Sequence, residues 1–143
     1  MKHFPDPGSE AVVRNLADFR YHLRRFLHFS EEAAARFHLP VQQHQLLLQI
    51  AGAAPGEITS VAYLAGRLCL RHHTVGELSL RCEAAGLVLR RADPQDRRMT
   101  VLELTATGRD MLAALSEDHA RELNELGPKL IEALQPFLGG RKK

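Results

Sequence analysis

Apolar residues recur at steps of three and four from Val12 through Val13, Leu16, Phe19, Leu23 and Phe26 to Leu27. That spacing predicts a long amphipathic helix with a wide buried stripe. Ser9-Glu10 opens it, and it runs to about Arg36, with Arg14, Arg20, Arg24 and Arg25 mostly off the stripe. Residues 1–9, with two prolines and a glycine, read as a loose arm. Leu39-Pro40 starts a second helix, Val41 to Ala51, in which Leu46, Leu47 and Ile50 face inward, and Ala53-Ala54-Pro55-Gly56 breaks it. Glu57-Ile58-Thr59 reads as a small third strand beside a later hairpin, and Ser60 caps a short helix from Val61 to Leu68.

The pattern then changes twice within forty-odd residues. Val75, Leu78, Cys82 and Ala85 form the buried stripe of a further helix. At about 100° per residue, His73, Gly76, Glu77 and Leu80 point to the opposite side, with Arg81 on the flank. Gly76 weakens this helix by roughly 0.5–1 kcal/mol relative to alanine, and Gly86 closes it as a left-handed cap. Leu87-Val88-Leu89 and Val101-Leu102-Glu103-Leu104 are short β-rich runs, and Asp93-Pro94-Gln95-Asp96 between them is turn chemistry. A helix pair followed by a hairpin with arginines at its tip outlines a winged helix-turn-helix, a device for gripping duplex DNA.

Beyond the hairpin, Thr105 is placed to cap a long helix over roughly residues 106–126, carrying Met111, Leu112, Leu115, His119, Leu123 and Leu126. Gly127-Pro128 is expected to stop it and start a last short helix with Leu130, Ile131, Leu134, Phe137 and Leu138. The fold class is therefore mainly α with a small β-wing. The single chain 1–143 divides into a winged part, 39–108, and helical parts, 9–36 and 109–143. Those end helices carry more apolar surface than a small winged domain can cover, and a second copy of the same surfaces would bury it in a homodimer; the alternative is a monomer whose end helices fold back on its own winged domain.

Charge sharpens this picture. Residues 60–109 hold eight arginines and five acids, net +3, whereas residues 1–59 are neutral and residues 110–143 carry −1. The excess sits where phosphate binding would need it. Cys69 and Cys82 lack CxxC spacing and read as reduced and mainly buried, with no redox role. No apolar run reaches 18 residues and the N-terminus is not a signal peptide, so no membrane partner and a cytoplasmic location are expected. Eight histidines occur without HExxH or Cys/His ligand spacing, so neither a metal site nor a cofactor is expected. No Gly-rich phosphate loop, GxSxG or ordered Ser/His/Asp set is present, which argues against an enzyme.

Thr74-Val75 followed by Leu78, Arg81 and Glu83-Ala84-Ala85-Gly86-Leu87-Val88, then Asp93-Pro94-Gln95-Asp96-Arg97-Arg98 and Leu104-Thr105-Ala106-Thr107-Gly108, resemble the multiple antibiotic resistance regulator (MarR) family of bacterial transcription factors. The last two segments match that family's wing pattern in order and spacing. Glu77 stands where many members carry a basic or polar residue, and Leu80 where an acidic one is common. The resemblance implies a homodimer on a pseudo-palindromic operator, more often repressing than activating, and often released by a small aromatic anion. Such an effector would use groups such as His22, Phe26 and His44.

The DNA-binding set is Arg71, His72, His73, Thr74, Glu77, Arg81, Asp96, Arg97 and Arg98. His73 and Thr74 at a helix N-terminus can meet base edges or phosphate. Glu77 could accept from a cytosine amino group and Leu80 touch a thymine methyl; the alternatives are a Glu77 ion pair with a neighbouring arginine and a Leu80 packed on wing or partner. Arg97 and Arg98 suit the narrow minor groove, and Asp96 orients one of them or pairs with Arg81. Arg71, Arg81, Arg90 and Arg91 are phosphate contacts or intramolecular partners, and Arg90 and Arg91 cannot both point outward on a strand. The rival function is a ligand- or metal-binding dimer, or a protein-interaction partner, with degraded operator reading.

Overall fold

The structure is a computed structural model that describes Asp6 and residues 8–139; the remainder of the arm expected over residues 1–9 lies outside the described residues. Its elements follow in the order α1 (Glu10–Arg36), α2 (Val41–Ala51), α3 (Val61–Leu68), α4 (His72–Ala84), β1 (Val88–Ala92), β2 (Thr100–Leu104) and α5 (Ala106–Leu134), with a 3₁₀ turn at Gln135–Phe137. By contacts the chain divides into two compact units, Met1–Glu32 with Glu117–Lys143, and Ala33–Ser116.

In the second unit, α2, α3, α4 and the two strands enclose a core in which Leu46, Leu47, Leu64, Val75, Cys82, Val88, Leu102 and Leu115 are almost wholly buried. Ser60 Oγ accepts from Tyr63 N at 3.1 Å and so caps α3. The antiparallel register pairs Val88 with Leu104 and Ala92 with Thr100. The third strand expected at Glu57-Ile58-Thr59 is reduced to a single bridge, Ser60 to Val101. Leu102 N donates to Thr59 O at 2.9 Å and Thr59 Oγ1 donates to Leu102 O at 2.6 Å. Ser60 N donates back to Ile58 O at 2.8 Å and Glu57 N to Ala54 O at 3.0 Å, so the segment before Ser60 turns on itself, and α3 begins directly after it.

One junction ties the wing to the helices on either side. Thr105 N donates to Leu87 O at 3.0 Å, and Thr105 Oγ1 donates to Gly86 O at 2.7 Å while accepting from Gly108 N at 3.0 Å. A Cβ on Gly108 would lie 2.2 Å from Leu87 O, so only glycine lets the first turn of α5 come this close to the end of α4. Gly86 turns the chain out of α4 at φ 76°.

Three expectations are corrected. Ala85 is exposed, because α4 ends at Ala84 and Ala85 is its C-cap; Ser79 takes the place in the stripe, wholly buried with its hydroxyl donating to Gly76 O at 2.6 Å. Cys69 is exposed, as the left-handed C-cap of α3 at φ 54°. Gly127-Pro128 does not end the penultimate helix: α5 continues through Pro128 to Leu134. Proline forgoes one helical hydrogen bond, but burial of Leu126 and Ala133 on either side anchors the continuous helix.

The first unit comprises most of α1 and the C-terminal half of α5. There His119 meets Phe26 and Phe29 edge-on, with ring centroids 5.8 and 5.5 Å away, and its Nε2 is hydrogen-bonded to Ser30 Oγ at 2.7 Å. Large apolar side chains stay in solvent on this unit, among them Val13 (57% exposed), Leu27 (55%) and Ile131 (59%).

Gly108→Ala should destabilise the protein by about 2–3 kcal/mol through overpacking against the Leu87 carbonyl. Gly66→Ala, in a helix where an added Cβ meets nothing, should stabilise it by about 0.5–1 kcal/mol. Urea midpoints of the two variants measure both effects.

Candidate nucleic-acid interface

Arg71 is the N-cap of α4 and makes no side-chain capping bond, so its guanidinium is left at the surface where α4 begins. His72, His73, Glu77, Leu80 and Arg81 are exposed and Thr74 is half-buried. His73, Glu77 and Leu80 lie opposite Val75, Leu78, Ser79 and Cys82, which are buried on the other side of the same helix, while His72, Thr74 and Arg81 flank that side. Of the predicted base readers, His73, Glu77 and Leu80 therefore share one solvent-facing side. Among the described residues, Glu77 and Arg81 make no ion pair with each other or with any other group, and Leu80 keeps 49% of its surface in solvent. The intramolecular Glu77 pair is therefore not formed.

The wing owes its shape to two carboxylates. Asp93 is buried, and its Oδ1 accepts from Gln95 N at 2.7 Å and Asp96 N at 3.1 Å, the pattern of an Asx turn. Asp96 Oδ1 accepts from Arg98 N at 3.1 Å and from Arg98 Nε at 3.2 Å. Asp96 thus orients Arg98, one of the two partners anticipated for it, and leaves Arg97 exposed with no bonded partner among the described residues. Backbone bonds from Asp93 N to Met99 O and from Met99 N to Asp96 O, both 2.9 Å, close the tip.

Between the wing and the start of α3 lies a cleft of about 390 Å³ lined by Ser60, Val61, Ala62, His72, Asp96, Arg98, Met99 and Thr100. It brings together three predicted residues, His72, Asp96 and Arg98. It also adds Met99, Thr100 and the N-terminus of α3, which the sequence marked only as wing and helix cap. Asp93 was legible as a turn residue, but its role as acceptor for two amides was not.

The two strand arginines separate as the pleat requires. Arg91 pairs with Glu103 across the hairpin, whereas Arg90 is half-buried and its Nε has no hydrogen-bond partner among the described residues. Arg90 N donates to Glu83 Oε2 at 3.0 Å, fastening the wing to the last turn of α4. The residues offered for an effector divide between the two units. His22 and Phe26 are half-buried on α1 in the first unit, and His44 is buried on α2 in the second. No cluster of three or more His, Cys, Asp or Glu suited to a metal occurs among the described residues. No described helix is long and apolar enough to cross a membrane.

No family model and no curated protein matches the sequence. Solved structures do match. AbsC, a MarR family transcriptional regulator from Streptomyces coelicolor, is similar with a TM-score of 0.73 at 19% identity over 91% of this chain and 93% of that one. The chain has the MarR-family fold. A mutant MarR from E. coli complexed with operator DNA is similar at a TM-score of 0.68 and 19% identity, covering 83% and 86% of the two chains. A mutant S. aureus MepR bound to an oligodeoxyribonucleotide gives 0.62 and 21%, over 84% and 86%.

The two cysteines of this MarR-like unit should react differently. Burial pushes the Cys82 thiol from 9.0 up to about 11, while Cys69 is exposed. Iodoacetamide at neutral pH should label one thiol in the native protein, Cys69, and Cys69→Ala should abolish that labelling until the chain is unfolded. Because Cys82 holds its proton to a higher pH when folded, its contribution to stability is intact below pH 9.0 and should be lost as pH rises to about 11.

Proposed function

We propose that this protein is a MarR-like transcriptional regulator that binds duplex DNA as a homodimer on a pseudo-palindromic operator, acting as a repressor, and that it is not an enzyme. One observation carries the reading. The solvent-facing side of α4 and a wing with one free and one braced arginine, Arg97 and Arg98, belong to the same compact unit. The helix side is wide enough to enter a major groove, and a thin hairpin arginine suits the narrow minor groove beside it. Arg71, Arg81 and Arg97 are exposed and make no bond to a neighbour among the described residues, which leaves their charge for phosphate or base edges. Structural likeness to proteins solved with operator DNA and with an oligodeoxyribonucleotide supports the same partner.

The homodimer rests on the exposed apolar side chains of the helical unit. Val13, Leu16, Leu27, Ile131 and Leu138 would face water in a lone chain, and a second copy covers such a surface by two-fold symmetry. Two copies of α4 then address major grooves about 34–36 Å apart. Release by a small aromatic anion, as the resemblance implies, completes the regulatory cycle.

Selection from a random duplex pool at physiological salt should enrich a two-fold site with half-sites about one helical turn apart; a folded, dimeric sample that enriches nothing contradicts the reading. Arg71→Ala should weaken binding evenly across sequences and reduce the slope of log affinity against log salt by about 1. Arg97→Ala should weaken binding to most duplexes, read by fluorescence anisotropy.

A further inference from the structure

We propose that α4 reads each half-site through Glu77 and Leu80, as a cytosine amino group next to a thymine methyl, and not through an arginine on guanine. This rests on the DNA-binding reading above. Three features of the helix support it.

The first is that Glu77 is exposed and unpaired among the described residues, although Arg81 stands four residues on, where a helical Glu–Arg pair is favoured. A free carboxylate facing DNA repels phosphate, so it is tolerated only where a donor meets it. In the major groove the exocyclic amino group of cytosine supplies one, and guanine offers only acceptors at N7 and O6. The second is Leu80, an exposed large aliphatic on the same side as Glu77, with 49% of its surface in solvent. The thymine C5-methyl is the apolar group the major groove presents to such a side chain.

The third feature is Gly76. A Cβ built there meets nothing within 4 Å, so packing within the chain gives no reason for glycine in mid-helix. The same holds at Gly66, so what Gly76 contributes is room: the backbone beside Glu77 is open to a close approach by a base edge.

Helix geometry limits the spacing of the two contacts. Glu77 and Leu80 are separated by about 4.5 Å along the axis, comparable to a base-pair rise of about 3.4 Å, so the two are close enough to reach neighbouring base pairs. His73 lies about 6 Å before Glu77, nearly two steps away. Arg81 is turned to the flank of this stripe, towards the backbone. The half-site then has adjacent C·G and T·A pairs at its centre, with phosphate contacts outside.

The test uses the full-length protein and the duplex it selects from a random pool. Replacing the thymine with deoxyuridine removes only the methyl group. It should weaken wild-type binding by about fourfold and leave the affinity of Leu80→Ala unchanged. Glu77→Gln, whose amide can both donate and accept, should shift the selected base at its position from cytosine towards adenine. If the wild type selects a two-fold site, but deoxyuridine costs nothing and Glu77→Gln selects the same bases, the proposed code is overturned while duplex binding stands. If the wild type enriches no sequence, the DNA-binding reading fails and the code with it.

Discussion

The winged unit depends on how closely the first turn of α5 can approach the end of α4. Leu87 O receives the Thr105 amide, Gly86 O receives the Thr105 hydroxyl, and that hydroxyl also caps the Gly108 amide. The missing Cβ of Gly108 makes the approach sterically allowed. This places the last residue of β2 and the first of β1 at the same point, so the hairpin register starts from a fixed end. The Thr59–Leu102 bonds then hold the segment before α3 against the hairpin. Together with the bond from Arg90 N to Glu83, these contacts fix the base of the wing against the helices around it.

Charged groups divide on this frame into those used inside the chain and those left for a partner. Arg91 is matched by Glu103, and Arg98 by Asp96, while Glu83 receives the Arg90 amide. Arg71, Arg81 and Arg97 stay exposed. Exposed pairs of this kind add little stability; the Asp96–Arg98 pair matters more because it limits the directions a flexible guanidinium can take. Asp93 contributes in a different way, accepting two backbone amides and holding the turn from a buried position.

Much of this was legible in the sequence because local chemistry and tertiary packing agree there. The limits of α1 and α2, the Ser60 cap and the Thr105 cap all follow from apolar period and capping residues. The exposed stripe of α4 followed from the same arithmetic. Where reading failed, a tertiary effect outweighed a local preference. Pro128 signalled a helix end, yet the burial of Leu126 and Ala133 spans it. Cys69 looked like a small core residue, but it occupies a left-handed cap where glycine is usual. Ser79 is polar and so carries no core signal, yet its bond to Gly76 O satisfies the hydroxyl and permits complete burial. The cleft beside the wing combines residues from α3, α4 and the turn, and no single window of sequence contains it.

On this reading the open side of α4 and the wing tip form one duplex-binding surface. Amide hydrogen exchange of the full-length protein, with and without a saturating random-sequence duplex at low salt, maps that surface directly. Protection should rise over 71–77 and 93–99, with none added on the outer side of α2. Protection confined to other segments, or no change at saturation, would contradict it.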